Sequence, residues 1–145
     1  MGSYFFSRYN SRKIQPNEVI FDLETKDKNI LDAFRFILKN AGYSFTIWDT
    51  GSRGYHIHLQ FNEFRTMDTN QRKKLKIAFM RMIVNIIETN GNFEINKNKL
   101  VDYGKTDNQQ ILIEYSRHRK TGNYKLPVEE RDTGYKNRLP KVIIN

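Results

Sequence analysis

Three short stretches of this chain carry side chains whose types and spacing suit phosphate chemistry. In the first, Glu18 to Glu24 (EVIFDLE), Asp22 and Glu24 stand two residues apart in an otherwise apolar run. On a strand, period two puts both carboxylates on one face, roughly 6–7 Å apart. Acids held that way can share one or two Mg²⁺ or Mn²⁺ ions, the arrangement used for in-line attack at phosphorus; the plainer account is a solvated strand end with Glu24 already in a turn. The second stretch, 50–59 (TGSRGYHIHL), is a Gly-rich turn feeding a segment in which His56, His58 and Gln60 alternate with Tyr55, Ile57, Leu59 and Phe61. Free N–H groups at the turn, with Arg53 and His56, would form a phosphate cradle; otherwise the glycines serve hairpin geometry alone. Its spacing is neither that of a Walker A loop nor that of the dinucleotide fingerprint. The third, 115–128 (YSRHRKTGNYKLPV), gathers Arg117, His118, Arg119, Lys120 and Lys125 around Thr121-Gly122. Such a turn neutralises a triphosphate or a nucleic-acid backbone, or is a solvated basic loop. A third acid from a neighbouring strand would complete a metal site. Asp102 adjoins Leu100-Val101 and so can sit on a strand, whereas Asp107 lies in a polar run, which favours Asp102.

These groups need a scaffold, and the apolar pattern supplies one. Val19, Phe21 and Leu23 fall on one face of a strand and Ile20, Asp22 and Glu24 on the other. Ile30, Leu31, Phe34, Ile37, Leu38 and Ala41 recur at helical spacing between Asn29 and Ala41, with Asp27 as cap and Gly42 as stop. Tyr43 to Asp49 and Tyr55 to Phe61 read as two strands of a hairpin with a wide tip. A longer helix spans Thr69 to Asn90, ended by Gly91, with Leu75, Ala78, Phe79, Met82, Ile83, Ile86 and Ile87 on its stripe and Arg72, Lys73, Lys74, Lys76 and Arg81 mostly off it. Phe93 to Ile95, Ile111 to Ile113 and Tyr124 to Val128 read as further strands. The expected class is α+β: a mixed, largely antiparallel sheet with helices packed on it.

Composition narrows the function classes. The chain has 145 residues with no repeat or linker, so a single domain over 1–145 is expected. Lys and Arg number 25 against 16 Asp and Glu, giving +9 at pH 7, so the expected large partner is a polyanion. There is no cysteine, which removes disulfides, thiol nucleophiles and Cys-based zinc sites and leaves any metal to oxygen or imidazole. No apolar run of membrane-spanning length and no signal-peptide pattern occurs, so a cytoplasmic, intracellular location without membrane partners is expected.

Taken in order, the three stretches resemble the catalytic core of the archaeo-eukaryotic primase superfamily. VIFDLE resembles its D-x-D or D-x-E strand, TGSRGYHIHL its small-Gly turn ending in G-x-H, and SRHRKTGNYKLPV its Ser-x-His-x-Lys-Thr-Gly run before a short strand. The resemblance implies an RRM-like primase catalytic core and a primase or primase-polymerase activity that joins nucleotides on a single-stranded DNA template. It implies that Asp22, Glu24 and Asp102 bind two Mg²⁺ or Mn²⁺ ions and that Ser52, Arg53, His56, Ser116, His118 and Lys120 hold the incoming nucleoside triphosphate. The chain departs from the pattern with Thr50 in place of Ser, with Ile113-Glu114-Tyr115 before the Ser-x-His, and with no zinc element. A helicase or accessory primase subunit is therefore an expected partner, as for a minimal version from a mobile element or the catalytic piece of a larger assembly. Arg72, Lys73, Lys74 and Lys76 form a candidate template track.

Two other classes compete. A rolling-circle nickase of the His-hydrophobic-His type would use His56 and His58, but it needs a tyrosine nucleophile on a helix; the long helix has none, and Tyr103, Tyr115, Tyr124 and Tyr135 fall in apparent strands or turns. A non-catalytic RRM-like nucleic-acid binder would stack bases on Tyr4, Phe5, Phe6 or Tyr9; acids on a strand facing nucleic acid argue against it.

Overall fold

The computed structural model describes residues 11–107, 109–118, 120–131 and 137–144. Tyr4, Phe5, Phe6, Tyr9, Arg119 and Tyr135 lie outside the described residues.

The chain forms β1 (Ser11–Lys13), β2 (Glu18–Leu23), α1 (Lys28–Asn40), β3 (Phe45–Asp49), β4 (Tyr55–Gln60), a 3₁₀ turn (Asn62–Thr66), α2 (Thr69–Gly91), β5 (Gln110–Leu112), β6 (Leu126–Arg131) and α3 (Lys141–Ile144). A four-stranded antiparallel sheet runs in the order β2-β4-β3-β6, and β1 pairs antiparallel with β5 in a separate ribbon. The class is α+β, as the alternating and helical periodicities require.

Alternation decides the two faces of the large sheet. Val19, Phe21 and Leu23 of β2 and Tyr55, Ile57 and Leu59 of β4 point into the main core, where Phe34 and Leu38 of α1 and Phe79, Met80, Ile83 and Ile87 of α2 cover them. Phe21, Phe34, Phe61 and Phe79 meet there through edge-on and tilted ring contacts. The opposite face carries Ile20, Asp22, His56 and His58, and the ribbon covers part of it by packing Ile14 and Ile111 on Ile20. Both long helices begin on capping aspartates: Asp27 accepts from the Asn29 N–H and Asp68 from the Gln71 N–H.

Three expectations change. Phe93 to Ile95 is not a strand; α2 runs through Gly91, Asn92 takes the left-handed capping position at φ 59°, and the chain then turns. The α2 stripe is rotated, since Met80 and Val84 are buried while Ala78, Met82 and Ile86 are only half-buried. Lys76 lies inside that stripe, 1% exposed, with its ammonium 2.6 Å from Asp107 and its aliphatic stem in the core.

Candidate active site

Asp22 occupies the last turn of the pleat in β2, on the face away from the helices, and Glu24 follows one residue past the strand. Segment 100–102 then runs alongside: the Glu24 N–H donates to the Leu100 carbonyl (2.8 Å), Leu23 bridges Val101, and the Asp102 N–H donates to the Asp22 carbonyl (3.2 Å). That short antiparallel pairing sets Asp102 opposite Asp22. Carboxylate oxygens of Asp22, Glu24 and Asp102 all lie within 4.8 Å of one another. Asp107, the alternative third acid, is elsewhere, buried against Arg72 and Lys76. An all-carboxylate donor set so close together suits a hard divalent cation, and without one the acids repel each other. Asp102 keeps one oxygen occupied by the Gly104 N–H (2.9 Å), which leaves the other available.

The Gly-rich turn sits against these acids because Gly54 has no side chain. A Cβ there would stand 1.6 Å from the Leu23 carbonyl oxygen. Thr50 closes the turn by donating from its backbone N–H and its hydroxyl to the Gly54 carbonyl (3.2 and 3.0 Å). The third stretch docks on the second at Gly51, whose carbonyl accepts from the Thr121 hydroxyl (2.7 Å) and the Asn123 amide (3.2 Å). The result is a pocket of about 180 Å³ lined by Asp22, Glu24, Ser52, Arg53, His56 and His118 among others. Segments far apart in sequence thus meet at one concavity.

Within the turn of the third stretch, His118 Nδ1 accepts from the Lys120 and Thr121 backbone N–H groups (3.2 and 3.3 Å), so a neutral ring carries its proton on Nε2. Lys120 is exposed and does not line the pocket. The Ser116 hydroxyl donates to the Ile113 carbonyl and stays outside it. Arg53 is exposed on the rim. Of the template track, Lys73 and Lys74 are exposed, Arg72 is mostly covered and tied to Asp107, and Lys76 is buried. Burial removes Lys76 from any exposed track, because reaching solvent would break its ion pair.

Beneath the acids the polar sheet face holds a chain of basic groups. His56 is 6% exposed, with Nε2 3.3 Å from Asp22 Oδ1 and Nδ1 buried without a hydrogen-bond partner among the described residues. Burial holds its pKa below the ordinary histidine value despite Asp22, so the neutral ring faces the acid. Burial pushes the Asp22 carboxyl up, but the His56 hydrogen bond and the charges of Lys105 and Lys125 outweigh it and leave it ionised below the usual range. Lys125, fully buried, donates to the Leu112 carbonyl (2.8 Å) and lies 3.4 Å from His58 Nε2 and 3.6 Å from Glu114. Desolvation brings its pKa down to about 8, and burial together with this cation keeps His58 neutral. By sequence Lys125 belongs to a basic turn and nothing marks Lys105; in the structure Lys125 turns inward while its neighbours Tyr124 and Leu126 are exposed.

No protein-family model and no curated protein matches the sequence. Among solved structures, the chain is similar to the polymerase domain of Mycobacterium tuberculosis Ligase D in complex with DNA, at TM-score 0.57 and 15% identity. That match covers 83% of this chain and 50% of the other, so the chain spans about half the length of that domain. At this identity the finding is one of fold: the chain's arrangement of sheet and helices is similar to that of this one domain.

Proposed function

We propose that this chain is a primase-polymerase-type nucleotidyltransferase that joins nucleotides on a single-stranded DNA template. The observation that carries the reading is the convergence of Asp22, Glu24 and Asp102 within 4.8 Å beside the pocket that the Gly-rich turn and His118 enclose. The polymerase-domain fold and the resemblance of the three stretches to the primase superfamily support it.

The acids would hold Mg²⁺ or Mn²⁺, two ions in this reading, which when bound lower the pKa of an attacking hydroxyl and neutralise a leaving pyrophosphate. The chain's own residues do the rest. His56 orients Asp22 from below and, being neutral, adds no charge that competes for the acid. Arg53 on the rim and the Nε2–H of His118 face the pocket as donors for triphosphate oxygens, with Ser52 beside them. Lys120 completes this set only through reorientation of its exposed side chain, so its contribution to nucleotide binding is smaller than that of Arg53.

The test is incubation with single-stranded DNA, nucleotides and Mg²⁺ or Mn²⁺. New primers are expected; a nicked strand covalently attached to the protein would replace this reading with the nickase. The Lys125 ammonium beside His58 works against that alternative, since a cation at an imidazole opposes a metal there. Mn²⁺ should also raise the melting temperature of the parent and not of Asp22→Asn, a readout independent of turnover.

A further inference from the structure

The polar face of the four-stranded sheet carries a second concavity beyond the acid pocket. It encloses about 410 Å³, within the range of small-ligand sites, and its walls include Thr46, Trp48, His58, Gln60 and Asn62. Gln60 stands four residues beyond His56 on β4, roughly 13 Å along the strand, so groove and acid pocket share one face of one strand. A strand of nucleic acid passing the acids comes within reach of it.

The lining selects the chemistry. Glu18, Glu114 and Glu130 face the groove against the guanidinium of Arg131, and Glu18 and Glu114 are already engaged by Arg12 at 2.7 and 3.1 Å. Arg12, Lys125 and Arg131 offset the three carboxylates, so the lining carries no net charge to draw in a phosphate and suits a neutral ligand with hydrogen-bonding edges. Trp48 supplies an aromatic wall that is itself only 9% exposed, and its Nε1 is buried with no hydrogen-bond partner among the described residues. Tyr115 extends that aromatic surface to solvent: it packs edge-on against Trp48 at 5.1 Å and is 63% exposed. Its φ of 64° is an uncommon conformation for so large a side chain, one that clusters at functional sites.

We propose that this groove seats an unpaired nucleobase of a polynucleotide strand, stacked on the exposed Tyr115 ring that Trp48 backs at the groove wall and read at its edge by Gln60 and Asn62. The base comes from the template strand, and in that respect alone the proposal rests on the function given above.

Trp48 is the chain's single tryptophan, so its emission reports on this groove. The full chain, without metal or nucleotide, is titrated with a short oligothymidylate, with an abasic strand of equal length and with free thymidine. The oligothymidylate should quench saturably, the abasic strand should leave the emission unchanged, and thymidine should act only at far higher concentration. Replacing the exposed Gln60 and Asn62 together by alanine should weaken oligothymidylate about tenfold, with the slope of log affinity against log salt unaltered. Equal quenching by the abasic strand, thymidine binding as tightly as the oligomer, or an unaffected double variant would each overturn the proposal. Base-dependent quenching without primer synthesis keeps the groove and removes the polymerase reading; primer synthesis without quenching does the reverse.

Discussion

Two aspartates five residues apart show how far neighbours decide what a carboxylate does. Asp102 is partly exposed and shares a cluster with Asp22 and Glu24, whereas Asp107 is buried between Arg72 and Lys76. Outer-shell changes at metal sites typically cost 10–100-fold, so loss of a ligand itself should cost about 100-fold or more. Asp22→Asn, Glu24→Gln and Asp102→Asn are therefore each expected to lose metal-dependent nucleotide joining by that factor while melting, in chelator, no lower than the parent. Asp107→Ala should instead melt early, because it strands the buried Lys76 ammonium at a cost of about 3–5 kcal/mol. Near-parental rates in Asp102→Asn would end the assignment of the third acid. Lys125 gives a second residue-scale expectation. Below about pH 8 its ammonium is charged in both folded and unfolded chains; between about 8 and its ordinary 10.5 only the unfolded chain keeps the proton, so this group adds stability as pH rises across that window. The melting temperature of the parent minus that of Lys125→Met should rise from pH 8 to pH 10, and a flat difference would show that desolvation does not govern this lysine.

At the scale of elements, the two glycine turns act as one unit through Gly51. Its φ of +76° and its contact with Asn123, where a Cβ would lie 3.0 Å from both the Asn123 Cβ and its carbonyl oxygen, leave no room for a side chain. Gly51→Ala is expected to push the 117–124 turn off the 50–54 turn, lowering stability by about 1–2 kcal/mol and raising the nucleotide KM more than it changes kcat. A KM equal to the parent's would mean that His118 does not depend on this docking. Much of this architecture was legible: Asp27 and Asp68 are local caps, and strict alternation in β2 and β4 assigns Asp22, His56 and His58 to one face before any tertiary contact is known. What stayed hidden depends on partners distant in sequence. Phe93 to Ile95 has a strand's composition but pairs with none of the described strands; the edge of β2 is met by Val101 instead. Lys76 has a solvent residue's identity and a core residue's position, because Asp107 arrives from 31 residues away to neutralise it. Asp102 was distinguishable only through the apolar Leu100-Val101 before it, and its meeting with Asp22 and Glu24 is a property of the pairing rather than of spacing.

For the whole molecule, the net charge of +9 would make the proposed association with nucleic acid electrostatic, which turns on where the phosphates would run. No described helix is long and apolar enough to cross a membrane. The groove beside β4 has its three carboxylates offset by Arg12, Lys125 and Arg131 and offers phosphate no net positive charge, and the helix-covered face of the sheet is closed, so the backbone of a strand would run over other surfaces. The start of α2 is one such surface, but Arg72 and Lys76 are committed to Asp107, which leaves Lys73 and Lys74 as the exposed cations of the original four. Reversing both, as Lys73→Glu with Lys74→Glu, should flatten the slope of log affinity against log salt by about 1.4 if each meets one phosphate, at roughly 0.7 per single-strand contact. Base-dependent quenching of Trp48 should survive in that variant, since stacking and phosphate contacts draw on different surfaces. A parental slope with activity retained would send the backbone past the exposed Arg53 and Lys120 instead, on the side of the molecule where the acids already lie, and α2 would then serve only to pack the sheet that holds them.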